Sequence, residues 1–515
     1  MRGVPALVAA VCGALLAVPV PAAPATARTV TEDRAAGAPS GADGTLRAEL
    51  DRILADPRLA GATIAADVRD AATGAGLYQR NAGLRVLPAS NQKLLTAAAA
   101  LEVLGPGHRF RTTVRAAGGS LHLHGQGDPT LTYERIDRLA ATVARAGAKR
   151  YDRLVADDSW FDRVPLGLDW SWQDESFTAP VSALTFAADG RYDNAAVEIR
   201  YRGVAGRPPV VRVWPPVVEV RVVNRAVTGG SGDTVSAVRA HGTSTVTLRG
   251  SVAAGRSGTA LAAVPDPAAA TTGLFRAALQ RHGVTVGGRT ARGPVPPAFR
   301  HLAAHVSPPL AEMLPPLLKL SNNGIAELLV KAISRAAEPA RPGSWPSGLA
   351  AATAALGRLG VDTRLLTMGD GSGLSRRNWV TAAQVVTLLR QARRRTWFPA
   401  FRAALPVAGD PDPMVGGTLR DRMRDTPAAG NVRAKTGTLT GVNALSGYVT
   451  DAGGRQLVFA LIVNGSLTGT AAVLDEAAVM LAARRTEEVA VVLAAHRTDH
   501  AAVMLAARRT GDAAV

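Results

Sequence analysis

Two periods of hydrophobic spacing run through this 515-residue chain, one near 3.6 residues and one of two, and the places where they exchange divide it into elements. Helical spacing over about Thr45–Leu54 gives way to alternation from Ala62 to Asn81, which predicts a hairpin turning near Thr73-Gly74. The stretch RVLPASNQKLLTAAAALEVLG, Arg85 to Gly105, predicts a short lead-in and then a helix that Gly105-Pro106-Gly107 stops. From about Arg111 to Arg292 the period is two. VRVWPPVVEVRVV (Val211 to Val223) and TSTVTLRGSV (Thr243 to Val252) alternate between Gly/Asp/Asn turns, so this portion is expected to form one or two strand-rich inserted domains. Helical spacing returns from Leu310 to Leu359 and includes GIAELLVKAISRAAE after Asn323. NVRAKTGTLTGVNALSGYVTDAGGRQLVFALIVNG then predicts two apolar strands joined at Asp451-Ala452-Gly453-Gly454, covered by a helix from about Thr468 to Arg484.

The two ends differ in kind. Arg2, an apolar stretch from Val4 to Val18 and small residues ending at Ala25-Thr26-Ala27 have the form of a secretory signal over 1–27, with cleavage after Ala23 fitting as well. A polar linker follows over 28–44. The single cysteine, Cys12, lies inside the signal; lipid modification there is the rival reading, but Ala9-Ala10-Val11 lacks the leucine with which such a site begins. The mature chain is therefore expected to be exported and free of disulfides. No later run reaches the eighteen or so apolar residues of a membrane span, so no transmembrane anchor is expected. In the tail, 486–515, AAVMLAARRT from Ala477 to Thr486 recurs at Ala501 to Thr510, with VAVVLAAHRT between. The repeat of twelve is not a whole number of helical turns, and no chemistry is assigned to it.

Composition changes this picture in one respect. Apolar residues make up 47% and charged residues 19%, as in an ordinary folded protein, and the formal charge of +18 is scattered. Without a basic run interleaved with aromatics, a nucleic-acid partner is not expected; anionic lipid and a phosphate-bearing cell wall both remain open as polyanions the charge could attract. Of the 59 basic residues only five are lysine: Lys93, Lys149, Lys319, Lys331 and Lys435. Arginine keeps its proton in proteins whereas buried lysine gives it up, so a lysine retained here is a candidate for service as an amine.

Two of the five stand in short motifs. Ser90 and Lys93 form Ser-x-x-Lys at a helix start, where the macrodipole disfavours a cation and a capping box would place Glu or Gln. The pair shares one helix face, which suits a serine nucleophile deprotonated by a neutral amine; a Ser90 cap with Lys93 in solvent is the alternative. Ser321 and Asn323 lie at a second helix start, where a plain N-cap turn is the alternative. Lys435, Thr436, Gly437 and Thr438 begin a strand, with Gly437 omitting a side chain so that another backbone approaches. An exposed strand start is the alternative there.

Ser-x-x-Lys, Ser-x-Asn and Lys-Thr-Gly in this order resemble the penicillin-binding proteins. The chain from about Thr45 to Arg484 is similar to the class C low-molecular-mass branch, the D-alanyl-D-alanine carboxypeptidases and endopeptidases. GQGDPTL (Gly125 to Leu131), DNAAVEI (Asp193 to Ile199), DGSGLSRRN (Asp370 to Asn378) and ALSGYV (Ala444 to Val449) share in the likeness. About 230 residues separate Ser90 from Ser321, more than a class A β-lactamase accommodates. Gln126 stands where a glycine is common, and TFAADGRYDN (Thr185 to Asn194) is a loose version of a stretch that usually contains asparagine.

The resemblance implies an α+β fold: a β-lactamase/transpeptidase-like catalytic domain, with an antiparallel sheet flanked by helices plus a helical subdomain, from 45–110 and 293–485. A large strand-rich insertion, 111–292, falls between the first and second motifs. It implies Ser90 as nucleophile, Lys93 as base and Ser321 as proton relay to the leaving D-alanine. Asn323 would bind the substrate amide, and Lys435, Thr436 and Thr438 the terminal carboxylate. The backbone N–H groups of Ser90 and Thr438 would form the oxyanion hole, and the peptide would lie along the Lys435 strand. The implied partners are a peptidoglycan stem peptide ending in D-Ala-D-Ala and β-lactams; no cofactor is required. Carboxypeptidase and endopeptidase action both fit, and a serine β-lactamase or a non-catalytic wall-binding protein are the alternatives. A Ser-His-Asp hydrolase lacks its Gly-x-Ser-x-Gly elbow, and His122 with His124 on one strand face has no third metal ligand nearby in sequence.

Overall fold

The computed structural model describes residues 41–170, 176–466 and 470–485; the expected signal, most of the linker and the repeat tail lie outside them. At its centre five antiparallel strands stand in the order Arg433–Leu439, Val442–Thr450, Gln456–Asn464, Thr63–Asp70, Gly76–Arg80. The first and last parts of the chain thus share one sheet, with Thr63 opposite Asn464 and Asp70 opposite Leu457. The expected hairpin forms, and its turn is held by Asp70, whose carboxylate accepts from the N–H groups of Ala72 and Thr73 at 2.8 and 2.7 Å.

Both faces of this sheet are covered, which is why its strands read as nearly unbroken apolar runs. In Gln456–Asn464, Val458, Ala460 and Ile462 enter one core, while Leu457, Phe459, Leu461 and Val463 enter another. The first core lies beneath helices Gln92–Val103, Leu310–Leu318, Asn323–Ala337, Trp345–Arg358 and Ala382–Ala392. Helices Gly41–Ile53 and Ala471–Ala483 close the second. The α+β reading holds.

The inserted region builds a separate core around a five-stranded sheet ordered Ala291–Arg292, Arg153–Asp157, Ser120–Gly125, Arg111–Ala117, Arg300–Val306. Two details differ from expectation. The strand Arg300–Val306 pairs with Arg111–Ala117, so the sheet continues past the return expected at 293; the Pro-rich stretch after Gly293 is a connection within one sheet, although it has the composition of a boundary. Among the described residues the region also contains two α-helices. Tyr133–Ala146 buries Ile136, Leu139, Ala140 and Val143 at helical spacing, and Pro267–Arg281 starts where the Asp266 carboxylate accepts from Ala269 N–H. The run Val211–Val223 is interrupted, its residues divided between the strands Arg207–Trp214 and Arg221–Asn224.

One lysine ties this region to the rest. Lys331 Nζ, on the helix Asn323–Ala337, donates to Asp162 Oδ1 at 2.6 Å and Val164 O at 2.7 Å, with the Trp345 ring 3.9 Å away.

Candidate active site

Ser90 occupies a single 3₁₀ turn, Ala89–Asn91, from which the helix Gln92–Val103 continues. It is not the cap: the helix begins without a side-chain cap bond, and Ala89 is held at φ 47°. Two glycines make room for this turn. A Cβ on Gly437 would lie 2.7 Å from Pro88 O, and one on Gly373 would overlap Ala89 O. The close backbone approach expected at Gly437 is therefore present. Lys93, one turn on, is fully buried rather than solvated; its Nζ lies 3.0 Å from Ser90 Oγ and donates to Ser372 O at 2.7 Å.

The second motif divides its labour. Asn322 caps Asn323–Ala337, its Oδ1 accepting from Ile325 N–H at 3.0 Å while its Nδ2 donates to Tyr192 O at 2.9 Å. That frees Ser321, at φ 60°, and Asn323, whose Nδ2 donates to Phe177 O at 2.9 Å. Ser321 Oγ accepts from Lys435 Nζ at 3.1 Å, and the same amine donates to Thr436 O at 2.7 Å. The strand Arg433–Leu439 carrying Lys435 forms the sheet edge. Ser90, Ser321, Asn323 and Thr438 line one cavity of about 710 Å³, with Asp169, Trp170, Phe177, Leu374 and Arg376 on its other walls. Lys435 and Gly437 lie behind this surface, and the Thr436 hydroxyl turns aside to donate to Thr418 Oγ1 at 2.8 Å.

Four of the five lysines are buried, Lys149 alone being exposed. Burial brings Lys93 down to about 7, against the upward pull of Asp370 and Glu327. Burial and then the neighbouring Lys93 press Lys435 well below the ordinary lysine range. Lys319 Nζ donates to Leu405 O and Val415 O at 2.7 and 2.9 Å and is lowered to about 8, chiefly by burial.

Motif reading missed the groups behind Lys93. Glu327, fully buried one turn beyond Asn323, accepts from Ser372 N–H at 2.7 Å, Gly371 N–H at 3.0 Å and Trp345 Nε1 at 2.8 Å. Asp370, also buried, accepts from Gly373 N–H and Ser375 N–H at 2.7 Å each, Asn378 Nδ2 at 2.8 Å and Trp170 Nε1 at 3.0 Å. DGSGLSRRN carried the signal as a resemblance without a role; an acid inside an amphipathic helix, as Glu327 is, carried none. His124 Nδ1 is engaged by Asp157 Oδ2 at 2.9 Å, and among the described residues no group of three His, Cys, Asp or Glu is placed to hold a metal ion.

Residues 46–486 match the model of the D-Ala-D-Ala carboxypeptidase 3 (S13) family. The chain belongs to this family. An S13 likeness of 47% identity over 457 residues links it to the D-alanyl-D-alanine carboxypeptidase of Actinomadura sp. (strain R39), covering 85% of this chain and 84% of that one. The crystal structure of penicillin binding protein 4 (dacB) from Haemophilus influenzae superposes with a TM-score of 0.70 at 25% identity, covering 83% of this chain and 97% of the other. The same protein complexed with a novel β-lactam gives a TM-score of 0.66 at 25% identity, covering 84% and 97%. The S13 assignment accords with the penicillin-binding resemblance and with the order of the three motifs.

Proposed function

We propose that this S13 chain is a serine-type D-Ala-D-Ala carboxypeptidase of the cell wall, acting outside the cytoplasm on stem peptides through an acyl-enzyme on Ser90. The observation that carries the reading is the 3.0 Å approach of a fully buried lysine amine to a serine hydroxyl on the cavity wall. Neutral Lys93 takes the Ser90 proton as Oγ attacks the carbonyl carbon of the penultimate D-alanine. The developing oxyanion is met by the Ser90 and Thr438 N–H groups, at about 3 kcal/mol per donor. As the C–N bond breaks, Ser321 passes a proton to the departing D-alanine amine, and water later releases the acyl group.

Asn323 holds the substrate amide, and the peptide adds as a strand along the Lys435–Leu439 part of the sheet edge, beyond the Val407–Arg433 bridge. Among the described residues Lys435 has no carboxylate partner, so an arriving D-alanine carboxylate favours its ammonium form and couples substrate charge to binding. Thr438 addresses that carboxylate directly, with Thr436 and its partner Thr418 behind it. A β-lactam acylates Ser90 by the same step, its ring opening as the C–N bond breaks. The catalytic domain comprises the central sheet and its helices; the inserted domain ends with the strand at Val306.

The test is covalent labelling by a fluorescent penicillin together with D-alanine release from a pentapeptide ending in D-Ala-D-Ala. The wild type should do both, and Ser90→Ala neither. Rapid turnover of penicillin without a lasting adduct, or adduct formation on Ser90→Ala, would overturn the reading.

A further inference from the structure

The mechanism above leaves a fully buried carboxylate without a task. Glu327 sits inside the helix that starts at the Ser321–Asn323 motif, yet it does not line the cavity. Three N–H donors converge on it at 2.7–3.0 Å, two of them from the Gly371-Ser372 peptide pair. The carbonyl of that same Ser372 takes the 2.7 Å hydrogen bond of Lys93. Thr96 Oγ1 meets Gly371 O at 2.6 Å from the Lys93 helix, so the loop is held from both sides. An unbroken chain of short hydrogen bonds thus runs from the second-motif helix, through one loop, to the amine of the first motif.

The charges around this chain are few. Asp370 and Glu327 act on Lys93 from the loop and from the helix, Lys435 opposes it from the sheet edge, and Lys331 lies near Glu327 on the same helix. Removing either carboxylate would leave the buried amines with less compensation at the moment Lys93 becomes an ammonium ion.

We propose that Glu327 is a positioning residue for acylation: its carboxylate fixes the Gly371-Ser372 peptides so that the Ser372 carbonyl orients Lys93. Its negative charge, beside that of Asp370, supports the ammonium form that Lys93 reaches on taking the Ser90 proton. The proposal rests on the Ser90–Lys93 reading of the site. Burial lifts Glu327 to about 7, helped by Asp370 and resisted by its donors, so its ionised form is held close to the working range. Three convergent N–H groups favour the carboxylate, since a protonated acid would turn an O–H toward a donor.

The rate of acylation by a fluorescent penicillin, measured from pH 5 to 9 on the full chain, tests this. In the wild type the acid limb of the profile reports protonation of Lys93 together with that of Glu327, which lies in the same range. Glu327→Gln, which keeps size and drops charge, should move that limb to lower pH by about one unit, because Lys93 releases its proton more readily. The plateau should fall tenfold or more. Glu327→Asp keeps the charge and shortens the reach, so the plateau should fall while the limb stays in place. Trp345→Phe removes one donor from Glu327 and should move the limb in the Gln direction by a smaller amount; it serves where Glu327→Gln does not fold. Superimposable limbs in wild type, Glu327→Gln and Trp345→Phe would overturn the inference alone. A wild type that penicillin does not acylate would overturn the reading of the site on which it rests.

Discussion

At the scale of single residues, the proposed chemistry depends on an amine that burial makes easy to deprotonate. Among the described residues Lys93 touches no carboxylate, only the Ser90 hydroxyl and a carbonyl, and the nearby Asp370 and Glu327 offset only part of the cost of burying an ammonium ion. Lys93→Arg keeps the formal charge, cannot act as a base and adds bulk to a filled space; acylation should fall by about 10²–10⁴ in a penicillin-labelling time course. The same burial has a stability signature. The folded chain holds the Lys93 proton only below about 7, whereas the unfolded chain holds it up to the ordinary value of 10.5. Between those values the unfolded state binds more protons, so this group's penalty on folding shrinks as pH rises and vanishes near 10.5. Lys93→Met should therefore be more stable than wild type in urea at pH 7, with the gap narrowing by pH 9.5. Equal gaps at the two pH values would contradict the depressed lysine.

At the scale of elements, the geometry of the candidate site comes from how closely the Ser90 turn, the Lys435 strand and the Gly371–Ser375 loop approach one another. Gly437→Ala places a methyl group 2.7 Å from the Pro88 carbonyl, which is backbone and cannot swing aside. The turn or the strand must yield, at about 1–3 kcal/mol, and a fall in melting temperature together with at least a tenfold loss of acylation is expected. Each motif was legible because its chemistry needs particular side chains within a few residues: Ser90 with Lys93, Ser321 with Asn323, and Lys435 through Thr438. Gly437 was legible too, since an absent side chain beside such a motif signals crowding. Contacts between distant segments were not. Nothing local tells that Asn322 rather than Ser321 caps its helix, that Thr418 receives Thr436, or that Glu327 holds a loop 45 positions further along. Within the insertion, alternation marked the strand-rich texture, although the run Val211–Val223 is divided between two strands. The helix Pro267–Arg281 went unread although Asp266-Pro267 marks its start, because the surrounding texture suggested sheet.

For the whole molecule, the central sheet closes the chain on itself by pairing Thr63–Asp70 with Gln456–Asn464, and the insertion leaves between two helices of that framework. Lys331 is one of its moorings, joined to Asp162 and Val164. Asp162 keeps part of its surface in water, which limits what the pair contributes. Lys331→Met should cost about 2 kcal/mol, less than a wholly buried pair, and lower the calorimetric transition by several degrees. The lysine distribution has a practical corollary. With arginine carrying nearly all the positive surface charge and Lys149 the sole lysine open to solvent, an amine-directed dye has one side-chain target on the native protein. Side-chain labelling by succinimidyl esters should therefore fall on the insertion, at Lys149, with the α-amine as the other site of reaction.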